Sequence, residues 1–159
     1  MADPTDILNW RRIDRRITTS GQPTEAQLAQ IKDLGATVIV NLGPHSNDGA
    51  LDDERGTVEG LGMRYVYIPV DFESPTQQDF DQFCSALEET VDTRVHVHCI
   101  YKARVSAFFY RYAREGRGGS EADQFAMMDG IWRPGGVWAD FIGKTEDTGL
   151  ENRFLGYEY

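Results

Sequence analysis

At 159 residues, with 40% hydrophobic, 11% aromatic and 26% charged, the chain has the size and composition of one globular domain spanning residues 1–159. Sixteen Lys and Arg against 26 Asp and Glu leave a net charge of −10, which excludes a broad basic surface for nucleic acid or an anionic membrane; an anionic ligand must be held by a local pocket. Two cysteines, Cys84 and Cys99, are too few for a disulfide scaffold and fit a reducing, cytoplasmic setting.

The opening MADPTDILNWRRIDRR places acids before a basic cluster and has no apolar stretch, so neither a secretory signal nor a membrane span is expected. From Thr24, an N-cap with Gln27 three residues on and Leu28 and Ile31 on one face predicts a short amphipathic helix ending at Gly35. ATVIVNL, residues 36 to 42, reads as a strand buried on both faces. A polar loop containing His45 leads to a weaker helix around Leu51 to Leu61, and Arg64 to Pro69 form a second strand. Thr76 caps the clearest helix, with Phe80, Phe83, Cys84 and Leu87 at i, i+3, i+4 and i+7. Residues 94 to 98, RVHVH, form a third strand, followed by a helix with Val105, Phe108, Phe109 and Tyr112 on one face. Ser120 opens a helix ending at Gly130, and PGGVWADFI adds a last short one, with Trp132, Trp138, Met127 and Met128 filling the core. Three strands alternating with helices predict an α/β fold: a central, mostly parallel sheet flanked by helices, with ligands beyond the C-terminal strand ends.

Three loops leave those ends, and one carries HCIYKARVS, residues 98 to 106. A cysteine closing a buried strand, a tight turn and a helix-opening arginine bring a thiolate, turn N–H groups and a guanidinium together, with Lys102 nearby. Between Arg94 and Arg117, six basic residues face one acid, Glu115, so charge is expected to focus at the turn. His96 and His98 share one strand face. The simplest reading makes His96 a satisfied core residue and His98 a support of the turn, with no metal and no cofactor. Cys84 reads as core packing, with a disulfide to Cys99 as the alternative.

His98-Cys99 with the following Arg and Ser106, the Val-Ile-Val-Asn-Leu strand, and Pro69-Val70-Asp71 before a capped helix resemble the cysteine-dependent protein tyrosine and dual-specificity phosphatases. More narrowly, residues 19 to 110 are similar to a group of small bacterial phosphatase-like proteins. The resemblance implies Cys99 as nucleophile through a phosphocysteine, and the N–H groups of Ile100, Tyr101, Lys102, Ala103 and Arg104 as the phosphate cradle. It further implies Asp71, or Glu73 in its place, as general acid, and Ser106 as a hydroxyl assisting the thiolate. The substrate would be a phosphorylated small molecule or phosphoprotein.

The phosphatase signature has arginine six residues after cysteine; here Arg104 is at plus five and Lys102 stands where glycine is usual. A full-length loop would rotate Arg104 by about 100° around its helix, whereas a loop one residue shorter keeps Arg104 on the anion but shrinks the cradle. The plus-five spacing also resembles the rhodanese loop, which holds a persulfide. A sulfurtransferase and a non-catalytic phosphate- or phosphoprotein-binding module therefore stand beside the phosphatase.

Overall fold

A computed structural model describes residues 3–143. Its sheet has five strands, β1 (Arg11–Arg12), β2 (Ile17–Ser20), β3 (Val38–Asn41), β4 (Arg64–Tyr67) and β5 (Val95–His98), in the order β1-β2-β5-β3-β4. All pairings are parallel except that of β1 with β2. The helices are α1 (Glu25–Asp33), α2 (Glu54–Gly60), α3 (Gln77–Glu89), α4 (Ala103–Arg114), α5 (Glu121–Ala126) and α6 (Gly136–Ile142). Both expected capping boxes form, Thr24 with Gln27 and Thr76 with Asp79. α5 ends four residues short of Gly130. None of these helices is long and apolar enough to cross a membrane.

Alternation along β3 divides the core. Val38 and Val40 face a cluster built with α3, α4 and α6, while Ile39 faces a second one with Leu28, Ile31, Val58, Met63 and Tyr65. Phe83 meets Phe108, Phe109 and Tyr112 edge-on at 5.1 to 5.8 Å, fixing α3 against α4 and so the helix that carries Arg104. Trp132, Trp138, Met127 and Met128 are buried as expected.

The two strands beyond the expected three are β1 and β2. β2 is fully buried although it reads Ile-Thr-Thr-Ser, because the Thr18 and Ser20 hydroxyls serve His96 on the neighbouring strand, in register Thr18↔His96, and the Thr19 hydroxyl donates to Arg11 O. Ser20 Oγ gives its proton to Gly21 O at 2.6 Å, so His96 Nε2 donates to Ser20 Oγ, and Thr18 Oγ1 donates to Nδ1, both at 2.8 Å. Burial holds His96 well below its usual pKa, helped by the charges of His98 and Lys102. It is the satisfied core residue anticipated, and both its nitrogens are taken. Among the described residues no three His, Cys, Asp or Glu are grouped to hold a metal.

Charge is not focused at the turn as expected. Arg94 donates to Leu34 O, and Arg111, Arg114 and Arg117 pair with Glu115, Glu121 and Glu88. α4 is about 18 Å long at 1.5 Å per residue, so its basic end lies far from its first turn. Only Lys102 and Arg104 of that set are at the turn. A cavity of about 500 Å³ walled by Ile13, Arg16, Leu87, Phe109, Tyr112 and Gln124 lies beyond the N-terminal end of β2, away from the loops that follow the strands.

Candidate functional site

Cys99 follows β5, the strand between β2 and β3, and is completely buried. Ile100 to Lys102 make the turn, and α4 opens at Ala103 with Lys102 as N-cap. Ile100 O accepts from Gln22 N at 2.8 Å and Tyr101 O from Asn9 Nδ2 at 2.7 Å. The peptides among the described residues are all trans, so with these carbonyls held outward the N–H groups of Tyr101 and Lys102 point the opposite way. Lys102 N–H accordingly donates to Cys99 Sγ at 3.1 Å.

Lys102 adopts φ 100°, the left-handed conformation glycine takes without strain, at a cost to a side-chain-bearing residue of roughly 1–2 kcal/mol. Its side chain runs inward, 1% exposed, and Nζ donates to Asn9 O at 2.9 Å. Burial, aided by the Arg11 charge and opposed by the Cys99 sulfur, lowers its pKa to about 7. A lysine whose folded pKa lies below its unfolded value near 10.5 binds fewer protons folded than unfolded between those values, so its contribution makes stability rise with pH across that window. Lys102→Met removes the effect. In chemical denaturation the variant's advantage over wild type should be largest below pH 7 and shrink by up to about 1.4 kcal/mol per pH unit above it.

α4 begins at Ala103, so Arg104 lies in its first turn. Arg104, 1% exposed, reaches the Cys99 sulfur through its guanidinium, donates from Nε to Val70 O at 2.9 Å and lies 5.3 Å from the Phe72 ring centre. Burial lowers its pKa while the sulfur and the Asp71 charge act against that. Ser106 turns elsewhere. Its Oγ donates to Ala103 O at 2.8 Å and accepts from Trp132 Nε1 at 2.9 Å, so its proton is not directed to the sulfur. With Trp138 Nε1 on Phe72 O at 2.7 Å, these contacts brace the 70–75 loop against α4.

Asp71 is exposed and begins a turn, Oδ1 accepting from Glu73 N at 2.9 Å and its carbonyl from Ser74 N at 3.0 Å. It combines that turn role with a charge felt by Arg104. Glu73 is exposed on the same turn. His45 is stacked on Tyr67 at 3.8 Å, with Nε2 and the Tyr65 hydroxyl 2.7 Å apart. Both cysteines are free thiols, and burial pushes Cys84 up to about 11, as suits packing.

The sequence reading missed Glu54. Its carboxylate, 2% exposed, sits 2.6 Å from His98 Nε2 and accepts from Gln22 Nε2 at 2.7 Å. Burial pushes its pKa up, but His98 and Gln22 outweigh burial and leave it lowered. The Cys99 carbonyl can only accept, so His98 Nδ1 donates to it at 2.9 Å, and Nε2 faces the carboxylate. Glu54 and His98 thus fix the peptide that follows Cys99. An acid beside the Asp53 N-cap looks like an ordinary first-turn residue, and its pairing with residue 98 spans 44 positions.

No family model matches the chain. A Shewanella putrefaciens phosphatase-like DUF442 protein is 31% identical, with a TM-score of 0.78 over 89% of this chain and 93% of that one. The chain also matches a Xylella fastidiosa beta-lactamase hydrolase-like protein at 31% identity over 90 residues, 55% of this chain; it spans only 21% of that protein's length. Two more distant folds are similar: TpbA of P. aeruginosa, solved with pTyr (16% identity, TM-score 0.62, 77% and 72% of the chains), and the catalytic core of the S. cerevisiae PP-IP phosphatase SIW14 (14%, 0.64, 85% and 83%).

Proposed function

Since the chain belongs to the DUF442 family of protein tyrosine phosphatase-like proteins, we propose that it is a cysteine-dependent phosphomonoesterase acting on a phosphorylated small molecule or phosphoprotein. The observation that carries this is the convergence of the Lys102 N–H and the Arg104 guanidinium on the buried Cys99 sulfur. The Cys99 thiolate attacks phosphorus, forming an S–P bond as the ester O–P bond breaks, and Asp71 gives its proton to the leaving oxygen. Water then attacks the phosphocysteine, its proton passing to Asp71, and the S–P bond breaks to return the thiolate. The turn N–H groups of Ile100 to Arg104 carry the equatorial oxygens, and Arg104 exchanges its sulfur contact for a bidentate clamp on phosphate. Asp71 is preferred to Glu73 because its charge is the one Arg104 feels.

A second reading rests on the Lys102 N–H bond to the sulfur atom itself: a turn that closes so near the sulfur suits the outer sulfur of a persulfide. One experiment separates the two. Wild type and Cys99→Ser, kept reduced, are assayed with a small aryl phosphate from acidic to neutral pH, and with thiosulfate and cyanide. The phosphatase account expects aryl phosphate turnover that falls by about 10⁴-fold or more in the variant. Thiocyanate formation with no phosphate release would transfer the site to sulfur chemistry, and equal inactivity of both proteins on both substrates would leave only ligand binding.

A further inference from the structure

We propose that residues 7–10 form a latch on the active turn, in which Asn9 and Lys102 are positioning residues that aim the Lys102 N–H at the reacting sulfur; this rests on the phosphatase reading for its kinetic consequence. Asn9 is anchored from both sides, by Ile7, 4% exposed in the core, and by Trp10, stacked on the His96 ring at 5.2 Å. Between them Asn9 takes φ 53°, the left-handed region that asparagine tolerates better than most residues. That conformation lets one residue make two bonds to the turn. Its Nδ2 donates to Tyr101 O at 2.7 Å and its carbonyl accepts from Lys102 Nζ at 2.9 Å.

The first of these bonds sets the chemistry. Tyr101 O and Lys102 N belong to one planar trans peptide, so holding the oxygen toward Asn9 turns the N–H toward Cys99 Sγ, where it lies at 3.1 Å. The second bond holds the same residue in a conformation, φ 100°, that a lysine does not favour unaided. Lys102 is also buried with a pKa near 7, under the charges of Arg11 on β1 and the sulfur of Cys99. Strain and burial concentrated at a turn beside a nucleophile are the mark of a residue kept for positioning.

Asn9→Gly and Lys102→Met test this separately. Glycine suits φ 53° and keeps the Asn9 carbonyl, so the first variant removes only the Nδ2 donor, and the second removes only the ammonium. Each should lower kcat for an aryl phosphate by roughly ten- to a hundred-fold with KM little changed, and the double variant should be no worse than the poorer single one. Hydrogen exchange of the residue-102 amide and alkylation of Cys99 by iodoacetamide should both accelerate. Lys102→Met should do so while gaining global stability below pH 7, a combination no merely structural loss produces. Unchanged kcat, exchange and alkylation in both variants overturn the latch. If wild type turns over no phosphomonoester, the function fails instead, and exchange and alkylation still decide the latch.

Discussion

Arg104→Lys is expected to lower kcat/KM for an aryl phosphate by about 10³-fold, read by steady-state kinetics on a protein whose circular dichroism matches wild type. Arginine at 1% exposure is held from two sides, its Nε on Val70 O at 2.9 Å and its guanidinium over the Phe72 ring. Lysine carries the charge but neither the fork nor the anchor: an ammonium that turned to Val70 O would leave the anion, and one that faced the anion would leave the carbonyl. Ser106 is committed to Ala103 O and Trp132, so on the proposed mechanism phosphate is held by this side chain and the turn N–H groups. A decrease of less than ten-fold would mean that Arg104 serves the 70–75 loop and not phosphate.

Glu54→Ala is expected to cost about 3 kcal/mol of stability, because it leaves His98 Nε2 and Gln22 Nε2 buried without their acceptor. For a domain of this length that lowers the melting temperature by roughly 6–12 °C. The pH dependence has a defined sign. A carboxyl whose folded pKa is lowered contributes stability that is fully present above its unfolded value near 4.5 and is lost as pH falls through the folded value. The gap between wild type and variant should therefore narrow on acidification. Activity should fall as well, since His98 Nδ1 holds the Cys99 carbonyl only while Nε2 is itself held. Stability unchanged at neutral pH would show that water replaces the carboxylate at no cost.

Much of this arrangement was legible in the residues. The apolar runs of β3 and β5, the capping boxes at Thr24 and Thr76 and the i, i+3, i+4, i+7 face of α3 are local patterns, and each formed within a few residues of its expected place. The strand-turn-helix junction put Cys99, Lys102 and Arg104 together for the same reason. What escaped depends on pairs far apart in the chain. β2 looks polar until His96, 78 residues from Thr18, is seen to need its hydroxyls. Glu54 is an ordinary first-turn acid until it meets His98, and Asn9 an ordinary loop residue until it meets Tyr101 across 92 positions. Ser106 illustrates the converse: matching a residue by its distance from Cys99 placed a hydroxyl in register, but its partners are Ala103 O and Trp132 Nε1. The basic count around α4 likewise ignored acids contributed by α3 and α5.

The covalent intermediate is the central claim, and mass spectrometry of the Cys99 peptide from wild type acid-quenched during aryl phosphate turnover tests it most directly. The account predicts a phosphoryl group on Cys99 that appears with substrate, decays when substrate is exhausted and persists longer in Asp71→Asn, where the residue that receives the proton of the attacking water is lost. Steady phosphate release with Cys99 unmodified throughout, and undiminished in Cys99→Ser, would contradict it.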